Sequence, residues 1–144
     1  MAVSAKAYGP ALAAMANGSI NWTTDTIKVA LCTSAYTPDQ DAHDFFNDVT
    51  NEVTGTGYTA GGATLGSKTS AYTGGTNTTA LDAADTTWSA STITARYAII
   101  YKSTGTAATS PLIGWVDFGA DVVSSAGNFT ITWDAGGIFT LNTP

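Results

Sequence analysis

The chain has 144 residues, of which 44% are hydrophobic and only 11% are charged, and its formal net charge is −6 at pH 7. Because soluble domains usually carry about 25% charged residues, hydroxyl and amide groups must supply much of this surface. The few basic residues are scattered, which argues against nucleic-acid binding, and no apolar run approaches the roughly 18 residues of a membrane span. One domain over residues 1–144, with one core, is therefore expected.

The first predicted element is a short helix over residues 4–17. Three apolar side chains recur there at helical spacing: Tyr8, Leu12 and Met15. Pro10 suits the first turn of a helix, and Asn17 followed by Gly18 is typical of a C-terminal stop. No other segment shows a convincing helical period, so a single helix is expected.

A half-buried strand is predicted over residues 26–34. Alternation places Ile27, Val29 and Leu31 on one face and Lys28, Ala30 and Cys32 on the other. Cys32 is the only cysteine, so the chain has no intramolecular disulfide. We interpret Cys32 as a small buried hydrophobe, because neither a base nor a metal ligand lies near it in sequence.

The middle of the chain predicts a polar loop followed by weak strands. Residues 39–48 are the most polar part, with Phe45 and Phe46 expected to anchor the loop to the core. Residues 57–69 and 70–81 alternate weakly, and their glycines indicate bends or bulges. A long exposed loop over residues 70–80 is the alternative for the second of these segments.

The clearest strand is predicted over residues 92–102. Five side chains share one face by alternation: Ile93, Ala95, Tyr97, Ile99 and Tyr101. The opposite face carries Thr94, Arg96 and Lys102, and a central place in a sheet is expected.

Two further strands are predicted near the C-terminus. In residues 112–119, Leu112, Val116 and Phe118 fall on one face and Trp115 falls on the other. Residues 128–142 predict a hairpin whose turn runs from Asp134 to Gly137. In its first arm three apolar side chains alternate with threonines: Phe129, Ile131 and Trp133.

These elements together predict an all-β fold. Seven to nine short strands separated by turn signals, with one short N-terminal helix, are typical of an antiparallel β-sandwich or an open barrel. The abundance of threonine, a β-branched residue, favours the same class.

An acidic cluster in residues 39–48 is the strongest candidate for a metal site. Its potential ligands are Asp39, Asp41, His43, Asp44 and Asp48. A calcium loop of the EF-hand type needs glycine at its sixth position and glutamate at its twelfth, where this chain has Asp44 and Thr50. We therefore favour a solvated loop held by structural side-chain bonds, and we predict no metal, cofactor or catalytic residue; cation binding by this loop stays open.

Catalytic and phosphate-binding patterns are incomplete. His43 is the only histidine, and no G-x-S-x-G nucleophile motif accompanies it, so we predict that the protein is not an enzyme. The glycine-rich residues 55–62 lack the lysine and the following helix of a phosphate loop, and we expect flexible or bulged β-structure there. Trp133 is predicted to be a core residue. The other tryptophans, Trp22, Trp88 and Trp115, are left open as sugar-stacking candidates.

Three stretches of the chain resemble a family of small structural proteins encoded in the virion gene blocks of tailed bacteriophages. They are residues 24–65, 92–119 and 128–141, and the most specific run is TSAYTPDQDAHDFFNDVTNEVTGTGYTAGG at residues 33–62. Members of that family are described as head decoration (cement) or minor tail proteins. Residues 70–80 are the part least like the family.

The resemblance implies a capsid decoration protein, made in the host cytoplasm and bound to the capsid exterior. Its expected partner is the major capsid protein, and it is expected to be a homo-oligomer, with a trimer favoured. The alternatives are a tail or adsorption protein and, from a different functional class, a carbohydrate-binding module. Neither nucleic acid nor a membrane is expected as a partner.

Overall fold

The computed structural model describes residues 2–144 and consists of antiparallel strands with one α-helix near the N-terminus. In chain order the elements are β1 (Ser4–Ala7), α1 (Gly9–Ala16), β2 (Ile27–Cys32), β3 (Ala63–Thr64), β4 (Thr69–Thr73), β5 (Thr78–Asp82), β6 (Thr86–Lys102), β7 (Leu112–Ile131) and β8 (Phe139–Asn142). Single 3-10 turns cover Phe46–Asp48 and Ala107–Thr109. The predicted all-β class with one short N-terminal helix is confirmed.

The described strands form two antiparallel sheets. The larger has the order β1-β7-β6-β2-β3 and the smaller has the order β4-β5-β8. The central strands β6 and β7 have 17 and 20 residues, far more than the typical strand length of about 5–6 residues. The smaller sheet packs on one face of the larger through Leu81 and Phe139, which makes the architecture a sandwich rather than a closed barrel.

The helix prediction over residues 4–17 is correct only in its second half. Ser4–Ala7 forms β1 and pairs with β7 from Gly114 to Asp117, and α1 begins at Gly9. Pro10 occupies the first turn, as expected, so the chain before it joins the sheet edge instead. The predicted apolar helix face is also wrong at Leu12, which is 54% exposed, because the short helix is buried through Ala11.

The expectation of a half-buried β2 is wrong, since apolar clusters cover both of its faces. Ile27, Val29 and Leu31 lie in the main core between the sheets. Ala30 and Cys32 lie in a second core, defined by the buried residues Tyr8, Ala30, Cys32, Tyr36, Ile99, Tyr101, Leu112 and Trp115. A strand buried on both faces is apolar almost throughout, as in IKVALC, so its alternation carries little information.

Strand β6 does not keep one apolar face. Ile93 and Ala95 pack in the main core, whereas Ile99 and Tyr101 pack in the second core. The pairing with β7 shifts register between Ala95 and Tyr97, and this irregularity turns the following side chains over. The prediction of a single face from Ile93 to Tyr101 is therefore wrong, although the strand itself is confirmed.

A second irregularity changes the faces of β7. Leu112 and Trp115 both lie in the second core, while Val116 and Phe118 pack against the main core. The register shifts between Ile100 and Tyr101, where their β7 partners are Gly114 and Leu112. The predicted grouping of Leu112 with Val116 and Phe118 is wrong for this reason.

The predicted C-terminal hairpin is a connection between the two sheets. Its turn forms, with the Gly137 amide donating to the Asp134 carbonyl at 2.9 Å. Its arms do not pair with each other, because β7 pairs with β6 and β8 pairs with β5. The prediction that the apolar side chains of the first arm lie in the core is confirmed, since Phe129 and Ile131 are buried in the main core and Trp133 packs against it.

The weakly alternating middle of the chain is partly strand. Within residues 57–69 only Ala63–Thr64 is a strand before β4 begins, and the glycine-rich residues before it are turns rather than bulged β-structure. Residues 70–80 form an exposed hairpin of β4 and β5, not a long loop. No described helix is long and apolar enough to cross a bilayer.

Candidate functional site

The acidic side chains of the loop at residues 39–48 hold its own backbone. Asp39 Oδ1 accepts hydrogen bonds from the amides of Asp41 and Ala42, both at 3.0 Å. Asp48 Oδ2 accepts from the amides of Asp44 at 3.0 Å and Phe45 at 3.3 Å. These backbone bonds favour the charged carboxylates and lower the pKa of Asp39 and of Asp48 below the usual 3.8. The prediction of structural side-chain bonds in this loop is confirmed.

His43 belongs to the aromatic packing beneath that loop. Its Nδ1 lies 2.9 Å from the hydroxyl of Tyr36, and that hydroxyl lies 2.9 Å from the hydroxyl of Tyr8. The rings of Tyr36 and His43 are stacked, with centroids 5.7 Å apart. Within residues 2–144 no group of three or more His, Cys, Asp or Glu side chains could hold a metal ion.

The loop meets the body of the protein at both phenylalanines, through the ring of Phe46 and through the backbone of Phe45. The ring of Phe46 stacks on Tyr101 with centroids 4.0 Å apart and an interplanar angle of 14°. Phe45 forms an isolated β-bridge with Pro111. The prediction of an aromatic anchor is therefore confirmed for Phe46, which is partly buried and packs against the second core.

The glycine-rich stretch is fixed by a compact hydrogen-bond network. Glu52 Oε1 accepts from the Tyr58 hydroxyl and from the Gly61 amide, each at 2.6 Å. The Tyr58 hydroxyl in turn accepts from the Leu31 amide at 2.9 Å, and the Tyr101 hydroxyl donates to the Gly61 carbonyl at 2.7 Å. Burial, and then the bond to Glu52, raise the pKa of Tyr58 well above 10.0. The stretch is a loop locked against β2, with its polar groups engaged internally.

The tryptophans left open by the sequence are buried. Their exposed fractions are 5% for Trp22, 6% for Trp88 and 8% for Trp115. Trp22 Nε1 also donates to the Asp82 carbonyl at 3.0 Å. None of the three presents a ring face on which a sugar could stack.

Cys32 is fully buried, in agreement with its interpretation as a small hydrophobe. Burial, and then the charge of Glu52, raise the pKa of its thiol to about 12. Since the thiolate is the reactive form, this cysteine is a packing residue at neutral pH.

The best candidate for a binding site is an apolar groove beside β1 and β7. Its volume is about 340 Å³, and the side chains that define it include Val3, Val116, Phe118, Val122, Ile131 and Trp133. Val3 is 64% exposed and Val122 is 42% exposed, so apolar surface continues from the groove to the outside. We call this feature the apolar groove; concave, mostly apolar sites of this kind are where proteins bind ligands and partners.

An unpaired strand edge runs beside the apolar groove. β1 pairs with β7 only as far as Asp117, opposite Ser4. Beyond that point, no described strand pairs with residues 118–131 on the side of β7 away from β6. We call residues 118–131 on that side the outer edge of β7.

Sequence reasoning missed both the apolar groove and the outer edge. The predicted strand at 112–119 and the start of the predicted hairpin at 128–142 belong to one long β7, which only its pairing with β6 reveals. The one local signal was the adjacent pair Val122 and Val123, two β-branched apolar residues that are 42% and 66% exposed.

The charges around the groove are few and acidic. Asp134 is the only charged residue among those that line it, and Asp121 is the only charged residue in residues 118–131. The nearest arginine is already engaged, since Arg96 Nε lies 2.5 Å from Asp117 Oδ1. The Arg96 guanidinium also holds the pKa of Asp117 below its usual value.

Comparison of the chain with protein-family models, with curated proteins and with solved structures finds no match in any of the three.

Proposed function

We propose that the protein is a bacteriophage capsid decoration protein, which binds the outer surface of the major capsid lattice and stabilises the head. The sequence resemblance at residues 24–65, 92–119 and 128–141 supplies the virion setting. The structural observation that supports a protein-binding role is the apolar groove beside the outer edge of β7. The proposal includes assembly as a homotrimer on the lattice.

The sheet framework is rigid, as expected for a protein that holds two capsid subunits together. The main core covers one face of the larger sheet, the second core covers the other face around β2 and the end of β6, and its loops are tied down by side-chain bonds to the backbone. A rigid scaffold limits the entropy that is lost when a surface binds. Contact area added across the boundary between two capsid subunits then raises the free energy needed to separate them.

The character of the surface fits an apolar and hydrogen-bonded contact better than an ionic one. Only 11% of the residues are charged, and two of the bases, Arg96 and Lys102, already pair with Asp117 and Asp25 within the chain. Protein interfaces typically combine an apolar centre with a polar rim, and the groove with its exposed valines offers such a centre.

Capsid stability tests this proposal directly. Particles assembled without the protein should rupture at a lower temperature than complete particles, and purified protein added back should restore the difference. Release of DNA on heating, followed with an intercalating dye, measures the rupture temperature. Equal rupture temperatures for the two kinds of particle would contradict the proposal.

A tail or adsorption component is the second candidate, because the same resemblance includes minor tail proteins. The copy number per particle separates the two functions. A decoration protein should be present in proportion to the number of major capsid subunits, whereas a tail component should follow the symmetry of the tail. Quantitative mass spectrometry of purified particles gives that ratio.

A further inference from the structure

The outer edge of β7 offers backbone groups to another chain. On one side, β7 pairs with β6 between Leu112 and Ile131, with several register shifts and no β6 partner for residues 118–121. On the other side, β1 covers only Gly114–Asp117, so the backbone groups of residues 118–131 that point away from β6 meet no strand within residues 2–144. An unpaired edge of this kind is a template for strand addition.

This edge lacks the side chains that normally prevent pairing. Natural edge strands are usually short or carry lysine, proline or inward-facing charges. Residues 118–131 contain no lysine, arginine or proline, and Asp121 is their only charge. The edge is thus open to a partner between its two backbone irregularities, at Gly119 and Ala126.

A regular segment lies between two backbone irregularities. Gly119 has φ 83° and Ala126 has φ 50°, and both values interrupt an extended strand. Between them the register with β6 is constant, from Ile93 opposite Ser124 to Ala95 opposite Val122. Residues 121–125 lie between the two irregularities and contain this regular stretch, residues 122–124, on which an incoming strand can form hydrogen bonds. We call residues 121–125 the straight segment.

The apolar groove lies where side chains of an added strand would point. Val122 belongs to the straight segment and lines the groove together with Phe118 and Val3. Alternate side chains of an extended strand project to the same face, so every second residue of the incoming strand meets this surface. Apolar side chains are favoured at those positions because the groove is lined mainly by aliphatic and aromatic groups.

The charges near the groove indicate which residues are favoured at the two ends of the incoming strand. Asp134 lines the groove and Asp121 lies on the edge, whereas the nearby Arg96 is already paired with Asp117, so the local charge is negative on balance. Two copies of this chain would each bring a net charge of −6, and pairing β7 with its own copy would bring like charges together. A segment with basic flanks is electrostatically complementary, whereas a second copy is not.

We propose that residues 121–125 of β7 accept an added strand from a neighbouring protein, an extended segment with alternate apolar side chains and basic flanks. This inference deepens the proposed function, because it defines the segment of the lattice protein that the decoration protein would hold. The bound strand lies in line with β1 along the same edge of β7, and its apolar side chains enter the groove.

Synthetic peptides test the three components of this proposal on the purified protein. The first probe is the acetylated and amidated peptide Lys-Val-Thr-Val-Thr-Val-Lys, which should bind with a dissociation constant measurable by calorimetry. The same peptide with glutamate at both ends tests charge. The lysine peptide with N-methyl groups on alternate residues tests backbone pairing, because it lacks the donors of one strand edge. Each control peptide should bind at least about tenfold more weakly.

Two variants with the same change of charge locate the site. V122K places a lysine on the straight segment, where edge lysines oppose strand addition, and should weaken binding of the lysine peptide at least about tenfold. Y72K makes the same substitution at a residue of β4 that is 60% exposed and does not line the groove, and it should bind as the wild type does. The N-methyl comparison uses wild-type protein, so it holds even if V122K is less stable.

Three results would overturn the inference. One is the absence of binding by the lysine peptide at millimolar concentration. Another is equal affinity for the N-methylated peptide, which would mean that the groove takes apolar side chains without strand addition. The last is self-association in sedimentation experiments that V122K abolishes and Y72K keeps, since a second copy would then occupy the edge. All of these measurements use purified protein rather than phage particles. A negative result would therefore overturn the strand-addition inference without contradicting the proposed capsid function.

Discussion

At the scale of single residues, the position of the glycine-rich loop depends on a glycine, because no Cβ atom would fit between the loop and β2. Gly62 has φ 73°, and a Cβ atom there would lie 1.9 Å from the Val29 carbonyl oxygen. The close approach lets the loop lie directly on β2, where Tyr58 bonds the Leu31 amide. The glycines that suggest a phosphate loop in the sequence are thus explained by packing of backbone on backbone.

Gly62→Ala should therefore lower the free energy of unfolding by about 2 kcal/mol or more, because alanine is strained at this positive φ and its methyl group has no room. Gly66→Ala is the matched control, since nothing lies within 4 Å of a Cβ at that position. The control should be neutral or stabilising by about 0.4–1 kcal/mol. Urea unfolding measures both, and equal losses in the two variants would contradict this account of the loop.

At the scale of elements, the sequence predicts where strands lie better than it predicts which way their side chains face. The strands at residues 27–32 and 92–102 follow from runs of β-branched and apolar residues. The predicted side-chain directions in β6 are wrong after Ala95, because the register with β7 shifts there and no local sequence signal marks the shift. The pattern of residues 128–142 predicts a hairpin, but its two arms pair instead with strands from distant parts of the chain, β6 and β5.

The candidate site illustrates the same limit. The acidic loop was predicted correctly as a structural loop, because the side chains of Asp39 and Asp48 bond nearby amides and such contacts are local. The apolar groove brings Val3 together with Val122 and Trp133, residues far apart in the chain. Only the tertiary arrangement of β1 beside β7 creates it.

The acidic loop also predicts a pH dependence of stability. The pKa of Asp48 is lowered in the folded protein, first by the Asp44 amide bond, so its charged form is favoured by folding. The resulting stability is present above the unfolded pKa of about 3.8 and is lost as the pH falls through the lower folded pKa. Asp25, Asp39 and Asp117 have lowered pKa values as well, so the free energy of unfolding should decline below about pH 4.

Asp48→Asn separates the contribution of this loop from that of the other carboxylates. The variant should lose about 1 kcal/mol at pH 7 and should show a shallower decline in the free energy of unfolding below pH 4. Asp41→Asn, an exposed position in the same loop whose carboxylate accepts no hydrogen bond, should match the wild type in both respects. Urea titrations from pH 7 to pH 3 give these values, and an unchanged slope in Asp48→Asn would refute the assignment.

At the scale of the whole molecule, the fold combines an apolar interior with a long strand edge that borders a groove. The main core fills the sandwich, and the second core lies beneath the loop that carries Tyr36 and Phe46. Lys68 and Lys102 tie the sheets to the segment around Asp25, where Lys68 Nζ donates to the Asp25 carbonyl. The outer edge of β7 lies beside the apolar groove, so unpaired backbone and apolar side chains occur together there.

The central claim is that this molecule covers the outside of a phage capsid, and difference imaging of particles tests that claim most directly. Electron cryomicroscopy maps of complete particles are compared with maps of particles that lack the protein. The account predicts difference density of this sandwich at regular positions on the capsid exterior, with the outer edge of β7 against a capsid subunit. Difference density confined to the tail, or its absence from the head, would contradict it.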